Sequence, residues 1–404
     1  MRLLFTISYY SPYVSGLTLY VKRLAESLVK RNYRLTIITM RHKKELSGEE
    51  EINGVQIFRA KPLISVSKGF LSIDFAVKAR RLVRENDAVI INLPQFEGIV
   101  PAFWGKILGK KIVSVYHCEV VLPGGLINLT AEFFLNLSNF LTLLLSDRVV
   151  TYTEDFMKHS KLLPFFQRKI LTVYPPLNRP KVDNRVKKLI RKKIGIKQGF
   201  VIGVAARLSA EKGIEYLFEA IPLLIKKIQI SKSKFQKKSK FQNLKTKDVT
   251  FKIVIAGSME PVGEEGYRKK IMRLVVKHRE YIVFLGELKE SEMGAFYSLL
   301  DVLVLPSVNS TEAFGMVQVE AMLTGIPVVV SNLPGVRVAV EKTGMGEIVP
   351  AANSEKLAEG ICAVLENREK YIKDKKNIGR EFSMEKTIGF YEDLFKKFKK
   401  QIGA

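Results

Sequence analysis

Two glutamates, Glu312 and Glu320, bracket the segment Ala-Phe-Gly-Met-Val-Gln-Val. At the ~1.5 Å rise per residue of a helix the spacing spans about 12 Å along the axis, with Glu312 before the first turn and Glu320 about two turns inside. One carboxylate then suits the hydroxyls of a sugar and the other the hydroxyls of a ribose. Between them lie the backbone N–H groups of a helix start, at Phe314, Gly315, Met316 and Val317. Such groups, with the positive dipole end, suit a diphosphate. Gly315 carries no side chain to keep phosphate oxygens away. Taken alone, the pattern also fits an ordinary capped surface helix with acidic residues.

A second cluster runs from Gly203 to Gly213 and holds Arg207 and Lys212. Arg207 can grip a phosphate with two parallel hydrogen bonds, and Lys212 adds a point charge. A departing diphosphate needs such neutralisation as its bond to a sugar breaks. The sequence has no Asp-x-Asp pair to hold a metal for this task. We therefore expect two cations and a helix start to do it without a cofactor. A third candidate is Gly16, which opens a helix after the first strand and permits close approach to a ligand. No Gly-x-Gly-x-x-Gly fingerprint accompanies it. A fourth is His117, one of four histidines, placed directly after an apolar run and suited either to a sugar hydroxyl or to a structural hydrogen bond.

The elements that must position these residues show in the apolar pattern. Short apolar runs at 3–8, 34–39, 88–93 and 111–116 predict strands, and a helical spacing over 17–30 predicts a helix after the first. The pattern restarts beyond a proline-rich joint at 174–180, with strands at 200–205, 251–256, 282–285, 302–305 and 328–330. Strands alternating with helices predict parallel sheets covered on both faces. We expect two doubly wound α/β domains facing each other across a cleft, with ligands at the carboxyl ends of the strands. The domains are expected at 1–178 and 179–381, with a lysine-rich surface insertion at 231–248 and a last helix within 382–404.

The chain has 404 residues, 47% hydrophobic and 26% charged, which suits two globular domains. Its two cysteines, Cys118 and Cys362, have no metal or redox spacing. The formal net charge is +26, and nine lysines with no acid fall between 226 and 247. Such a surface points to nucleic acid, anionic lipid or phosphorylated substrates. Nucleic acid is disfavoured, because the basic excess is not interleaved with aromatics and no binding motif is present. No apolar run reaches the ~18 residues of a membrane span, and the start does not read as a secretory signal. A cytoplasmic protein is expected. In the stretch 126–146, Asn128, Glu132, Asn136 and Asn139 fall on one stripe, and most of the other residues are Leu, Phe or Ile. It suits either the interface of a membrane's cytoplasmic face, where it would meet an anionic surface or a lipid acceptor, or packing between domains.

Taken in order, these segments resemble the retaining glycosyltransferases of family 4. The likeness spans nearly the whole length. It includes the opening strand and Gly16 loop, His117, Ser146-Asp147-Arg148-Val149-Val150 leading to Thr153-Glu154, and Arg207 with Lys212. It continues through Phe284-Leu285-Gly286 and Asp301-Val302-Leu303-Val304-Leu305-Pro306-Ser307 to the Glu312–Glu320 element. The resemblance implies the GT-B fold and a last helix that crosses back to the first domain. It implies that Glu312 holds the donor sugar, Glu320 the ribose, and Arg207 and Lys212 the diphosphate. Gly315, Met316 and Val317 would give backbone contacts, Gly16 would approach the phosphates and His117 would touch the transferred sugar. The nucleobase would lie near Gly286, Glu287 and Leu288. The implied activity is glycosyl transfer from a nucleoside-diphosphate sugar to a hydroxyl of a saccharide, lipid-linked glycan or glycolipid, as in cell-envelope polysaccharide synthesis. A non-catalytic sugar-nucleotide-binding protein and another GT-B enzyme, such as a sugar epimerase, are the alternatives. Ser15-Gly16 stands where the family often has two glycines, and Pro-Pro-Leu-Asn replaces a frequent Asn-Gly turn in the joint.

Overall fold

The computed structural model describes residues 1–66, 69–122, 124–196, 198–230, 251–259 and 264–402; the lysine-rich segment 231–248 lies outside them. The chain forms two compact units, one of Met1–Pro176 with Ser383–Ala404, the other of Leu177–Phe382.

Unit 1 is built on an eight-stranded sheet. Its strands are β1 (Arg2–Thr6), β2 (Arg34–Met40), β3 (Glu49–Ile52), β4 (Val55–Ala60), β7 (Ala88–Leu93), β8 (Lys111–Tyr116), β9 (Arg148–Thr151) and β10 (Ile170–Thr172). They lie in the order β10-β9-β8-β7-β1-β2-β4-β3, beside a small hairpin of β5 (Ile64–Val66) and β6 (Gly69–Leu71). All neighbours in the large sheet run parallel except β3 and β4. That antiparallel pair departs from the all-parallel expectation. Its cause is the Asn53-Gly54 turn, with both residues at positive φ (52° and 79°), which folds the chain straight back. Strands such as β7, with every residue buried, read as unbroken apolar runs because helices cover both faces. The helices that matter below are α1 (Gly16–Val29), α2 (Ile73–Glu85), α3 (Ile99–Ile107) and α4 (Leu126–Leu145).

The last helix, Met384–Ile402, belongs to unit 1. Tyr391 shares a 2.6 Å hydrogen bond with Tyr20 of α1, and Thr387 Oγ1 donates to the carbonyl of Tyr174 at 2.9 Å. Arg31 adds ion pairs to Glu385 and Glu392.

Unit 2 carries a six-stranded, all-parallel sheet of β11 (Phe200–Ala205), β12 (Phe251–Ala256), β13 (Ile282–Gly286), β14 (Val302–Leu305), β15 (Val328–Ser331) and β16 (Gly346–Val349). The order is β13-β12-β11-β14-β15-β16. The chain thus winds outward from β11 in one direction and from β14 in the other. Such a reversal leaves a crevice at the carboxyl ends of the two central strands, where ligands of this architecture bind. In unit 1 the corresponding reversal falls between β1 and β7.

Candidate active site

The loops after β11 and β14 meet at the reversal point of unit 2. After β11, the chain makes a single 3₁₀ turn, Ala210–Lys212, whose first N–H is held at 2.8 Å by the buried carboxylate of Glu264. The turn ends at Gly213 with φ +60°. A Cβ there would lie 2.2 Å from the carbonyl oxygen of Pro306, so only glycine lets the two loops close up. The Val308 N–H donates to the Glu211 carbonyl at 3.0 Å and stitches them together. Asn309 shapes the second loop by accepting from the N–H and hydroxyl of Thr311 at 3.1 and 2.6 Å.

This stitching brings Lys212 against Glu312. The ammonium donates to Glu312 Oε2 at 2.7 Å, with both side chains mostly shielded from water. Arg207 lies at the edge, 3.4 Å from Glu211 Oε1 and with about a third of its side chain (36%) in solvent. The hydroxyls of Ser209 and Ser307, both buried just after these strands, have no hydrogen-bond partner among the described residues.

The chain stays non-helical from Glu312 to Gly315, and the helix runs Met316–Thr324. Glu312 therefore lies before the first turn, as read from the sequence, while Glu320 sits little more than one turn inside rather than two. The reason is Gly315, whose left-handed φ of +74° breaks the path just before the first turn. A Cβ on it would fall 2.4 Å from Leu305 Cδ2. No side chain among the described residues caps this helix, whereas Ser15, Ser72, Thr153, Asp183, Asn353 and Asp374 each cap another. The N–H groups of Met316 and Val317 are thus left to a ligand or to water, while that of Gln318 donates to the Gly315 carbonyl at 3.0 Å. Met316 and Val317 are half-buried, while Phe314 points inward, edge-on to Phe382 with ring centroids 6.0 Å apart. Glu320 is buried, and the hydroxyl of Tyr297 donates to its Oε2 at 2.9 Å. Gly286 ends β13, and Glu287 and Leu288 follow it, two strand spacings or about 10 Å from β11.

Two expected residues lie in unit 1. Gly16 is exposed at the start of α1, where Ser15 and Thr18 form a reciprocal cap. His117 follows β8 and is enclosed, with both ring nitrogens engaged. Asn92 uses its Nδ2 on the Thr6 carbonyl at 3.0 Å, so its Oδ1 accepts from His117 Nε2 at 2.8 Å. Nδ1 then accepts from the Tyr152 hydroxyl at 2.5 Å. Burial lowers the imidazole pKa to about 3 and keeps the ring neutral. A direct ring contact to a sugar hydroxyl, as the resemblance implied, finds no open nitrogen here.

Sequence reasoning missed Glu264 and Tyr297, which hold the turn and Glu320. Their partners lie 54 and 23 residues away, so no local pattern announces them. The Asn309-x-Thr311 turn did carry a readable signal in its residue types.

Two doubly wound units, the second with cations and an open helix start at its reversal point, define a glycosyltransferase of the GT-B fold. The chain belongs to the family 4 glycosyltransferases: residues 14–179 match the family model described as Glycosyltransferase Family 4, and residues 186–381 match that of Glycosyl transferases group 1. An uncharacterized glycosyltransferase of Methanocaldococcus jannaschii, MJ1607, is 27% identical over 363 residues, 87% of this chain and 85% of that protein. A phosphatidyl-myo-inositol mannosyltransferase of Mycobacterium leprae is 38% identical over 96 residues, 23% of this chain and 25% of that protein. Anabaena Alr3699/HepE, solved in complex with UDP and glucose, superposes with a TM-score of 0.74 at 17% identity, over 98% of this chain and 100% of that one. That last likeness is one of fold.

Proposed function

We propose that this glycosyltransferase moves a sugar from a nucleoside-diphosphate donor to an acceptor hydroxyl with retention of anomeric configuration. The observation that carries the reading is the Lys212–Glu312 pair, 2.7 Å apart at the β11/β14 reversal beside an uncapped helix start. In the free protein the two neutralise each other. The donor would divide them, with Lys212 turning to the diphosphate and Glu312 accepting from hydroxyls of the sugar. Arg207 and the N–H groups of Met316 and Val317 would take further phosphate oxygens, and Glu320 the ribose.

In the reaction the bond between the anomeric carbon and the phosphate oxygen breaks, and a bond to the acceptor oxygen forms on the same face. The acceptor's proton passes to the departing diphosphate, which leaves as the nucleoside diphosphate. The cations and helix start stabilise the charge that grows on that group. No resident metal is part of this reading, so a chelator should leave the rate unchanged. His117 acts by ordering the strand ends of unit 1 through Asn92 and Tyr152. The acceptor is proposed to be a lipid-linked glycan or a glycolipid, supported by the lipid-glycosylating relative named above and by the apolar face of α4.

The test is a screen of UDP-, GDP- and ADP-sugars for acceptor-dependent release of nucleoside diphosphate, with product configuration read by NMR. Arg207→Ala and Glu312→Ala should each lose most of that release. Full activity in either variant, or an inverted product, overturns the reading.

A further inference from the structure

Helix α4 is packed the reverse of a helix that faces water. Its small polar residues turn inward: Ser138 Oγ donates to the Phe96 carbonyl at 2.6 Å, Asn139 Oδ1 accepts from the Gln95 N–H at 3.3 Å, and Thr142 is fully buried. On the opposite side Leu126, Phe133, Leu137 and Leu144 fall on one stripe at helical spacing, each 43–79% exposed. Ile127, Leu129, Phe134 and Leu141 widen that stripe. A surface helix of a globular protein shows the opposite arrangement. One exposed leucine needs no cause, but a contiguous apolar face of this extent marks a contact surface.

The neighbouring helices continue it. Helix α3 packs between α2 and α4 and exposes Phe103 and Ile107. Helix α2 adds Arg80, Arg81 and Arg84, which with Val77 and Glu85 line a shallow depression. Arg80 lies over the Trp104 ring of α3 at 4.7 Å. At the other end of α4, Lys169 donates to the last-turn carbonyl of Leu144 at 2.7 Å, and Lys106 is near enough to repel its charge. The carboxylates on this side are engaged: Glu85 lies 3.9 Å from Arg81, and Glu132 accepts from the Leu122 N–H at 3.2 Å and from Lys161 at 3.5 Å.

We infer that the α2–α3–α4 face of unit 1 rests on an anionic lipid bilayer, with α4 lying in the plane of the headgroup boundary and the arginines of α2 on lipid phosphates. An apolar helix face rimmed by Lys and Arg is the composition that binds such a surface. No helix among the described residues is long and apolar enough to cross the membrane, so the contact is in-plane. The inference deepens the proposed lipid acceptor but does not need the donor chemistry to be right.

The test is sedimentation of the full chain with vesicles of phosphatidylcholine, with and without phosphatidylglycerol. Binding should be about tenfold or more tighter with phosphatidylglycerol, and should weaken with salt. The triple variant Leu126→Gln/Phe133→Gln/Leu137→Gln should lose about tenfold or more of that binding. Arg80→Gln/Arg81→Gln/Arg84→Gln should keep the weak binding to neutral vesicles and lose the anionic preference. Circular dichroism checks folding, and nucleotide-sugar hydrolysis in solution reads unit 2 separately. Equal binding to both vesicle types, or none to either, overturns the inference. So does a dimer, seen by analytical ultracentrifugation, that the leucine and phenylalanine substitutions dissociate, because the face would then join two copies.

Discussion

The two units share one architecture and fill its reversal point with opposite chemistry. In unit 2 the loops after β11 and β14 carry Arg207, Lys212, Glu211 and Glu312, partly open, with Arg207 beside Glu211 and Lys212 beside Glu312. In unit 1 the ends of β1 and β7 carry Thr6, Asn92 and Gln95, neutral and buried, with Thr6 Oγ1 on Gln95 Oε1 at 2.7 Å and Asn92 on His117. A charged group here must keep water or a counter-charge within reach, because burial without either is expensive. The neutral amides and imidazole of unit 1 can be sealed inside and hold loops in place. The same fold therefore places a partly open charged cluster at the reversal point of one copy and a buried neutral network at that of the other.

The sharpest break of this comparison is Lys212→Ala. It removes the cation facing Glu312 and should lower transfer by about 10²–10³-fold. The matching change in unit 1, Asn92→Ala, should act on stability and leave donor binding within a few-fold. Isothermal titration with the donor sugar nucleotide and a transfer assay separate the two. Loss of donor binding in the Asn92 variant, with unit 1 still folded, would erase the distinction.

Next is Gly213→Ala, which tests the stitch between the two loops of unit 2. The added methyl collides with the Pro306 carbonyl and holds an L-residue at φ +60°, so unit 2 should lose about 2 kcal/mol or more. The only tryptophan, Trp104, lies in unit 1. Far-UV circular dichroism should then show earlier unfolding in urea, while the Trp104 fluorescence transition stays in place.

The charged site was legible in the sequence because its members are polar residues that interrupt apolar runs. Arg207 follows the run of β11, and Glu312 follows that of β14 after one loop. The adjacency of these two loops was not legible, since it depends on strand order, and 96 residues lie between the end of β11 and the start of β14. The start of the Met316 helix was legible, but the depth of Glu320 inside it was overstated by about one turn, because nothing local says that Gly315 takes a left-handed φ and delays the first turn. His117 was visible as a residue but not as a sealed one. Its partners Asn92 and Tyr152 lie 25 and 35 residues away, and only the pairing of β7 with β8 and of β8 with β9 gathers them. The polar stripe of α4 was readable, while its inward direction was not.

A smaller effect is expected for Tyr152→Phe. It deletes the hydroxyl that donates to His117 Nδ1 and leaves a buried acceptor without its donor, at a cost of about 1–3 kcal/mol. Trp104 fluorescence in urea should show an earlier transition, with the donor affinity of unit 2 unchanged. A neutral result would mean that the imidazole is not held through this bond.

The smallest effect is hidden in the intact protein and concerns pH. Burial puts the His117 pKa at about 3, below the ordinary 6.5, so between these values the unfolded chain takes up a proton that the folded one refuses. This group alone makes unit 1 less stable as pH falls below 6.5. Glu97, buried after β7, has its pKa raised by burial from 4.5 to about 7. There the folded chain holds a proton that the unfolded one releases, so acidification from 7 to 4.5 stabilises. Between 4.5 and 6.5 the two slopes, each about 1.4 kcal/mol per pH unit, oppose one another. The Trp104 transition should therefore move little with pH across that window from these two groups. Glu97→Gln removes the compensating slope, and its urea midpoint should fall steadily from pH 6.5 to 5. His117→Asn should do the reverse and gain stability on acidification. If Glu97→Gln keeps the flat profile, the His117 imidazole takes up its proton in folded unit 1, and the contrast between a sealed support and an open crevice fails at that residue.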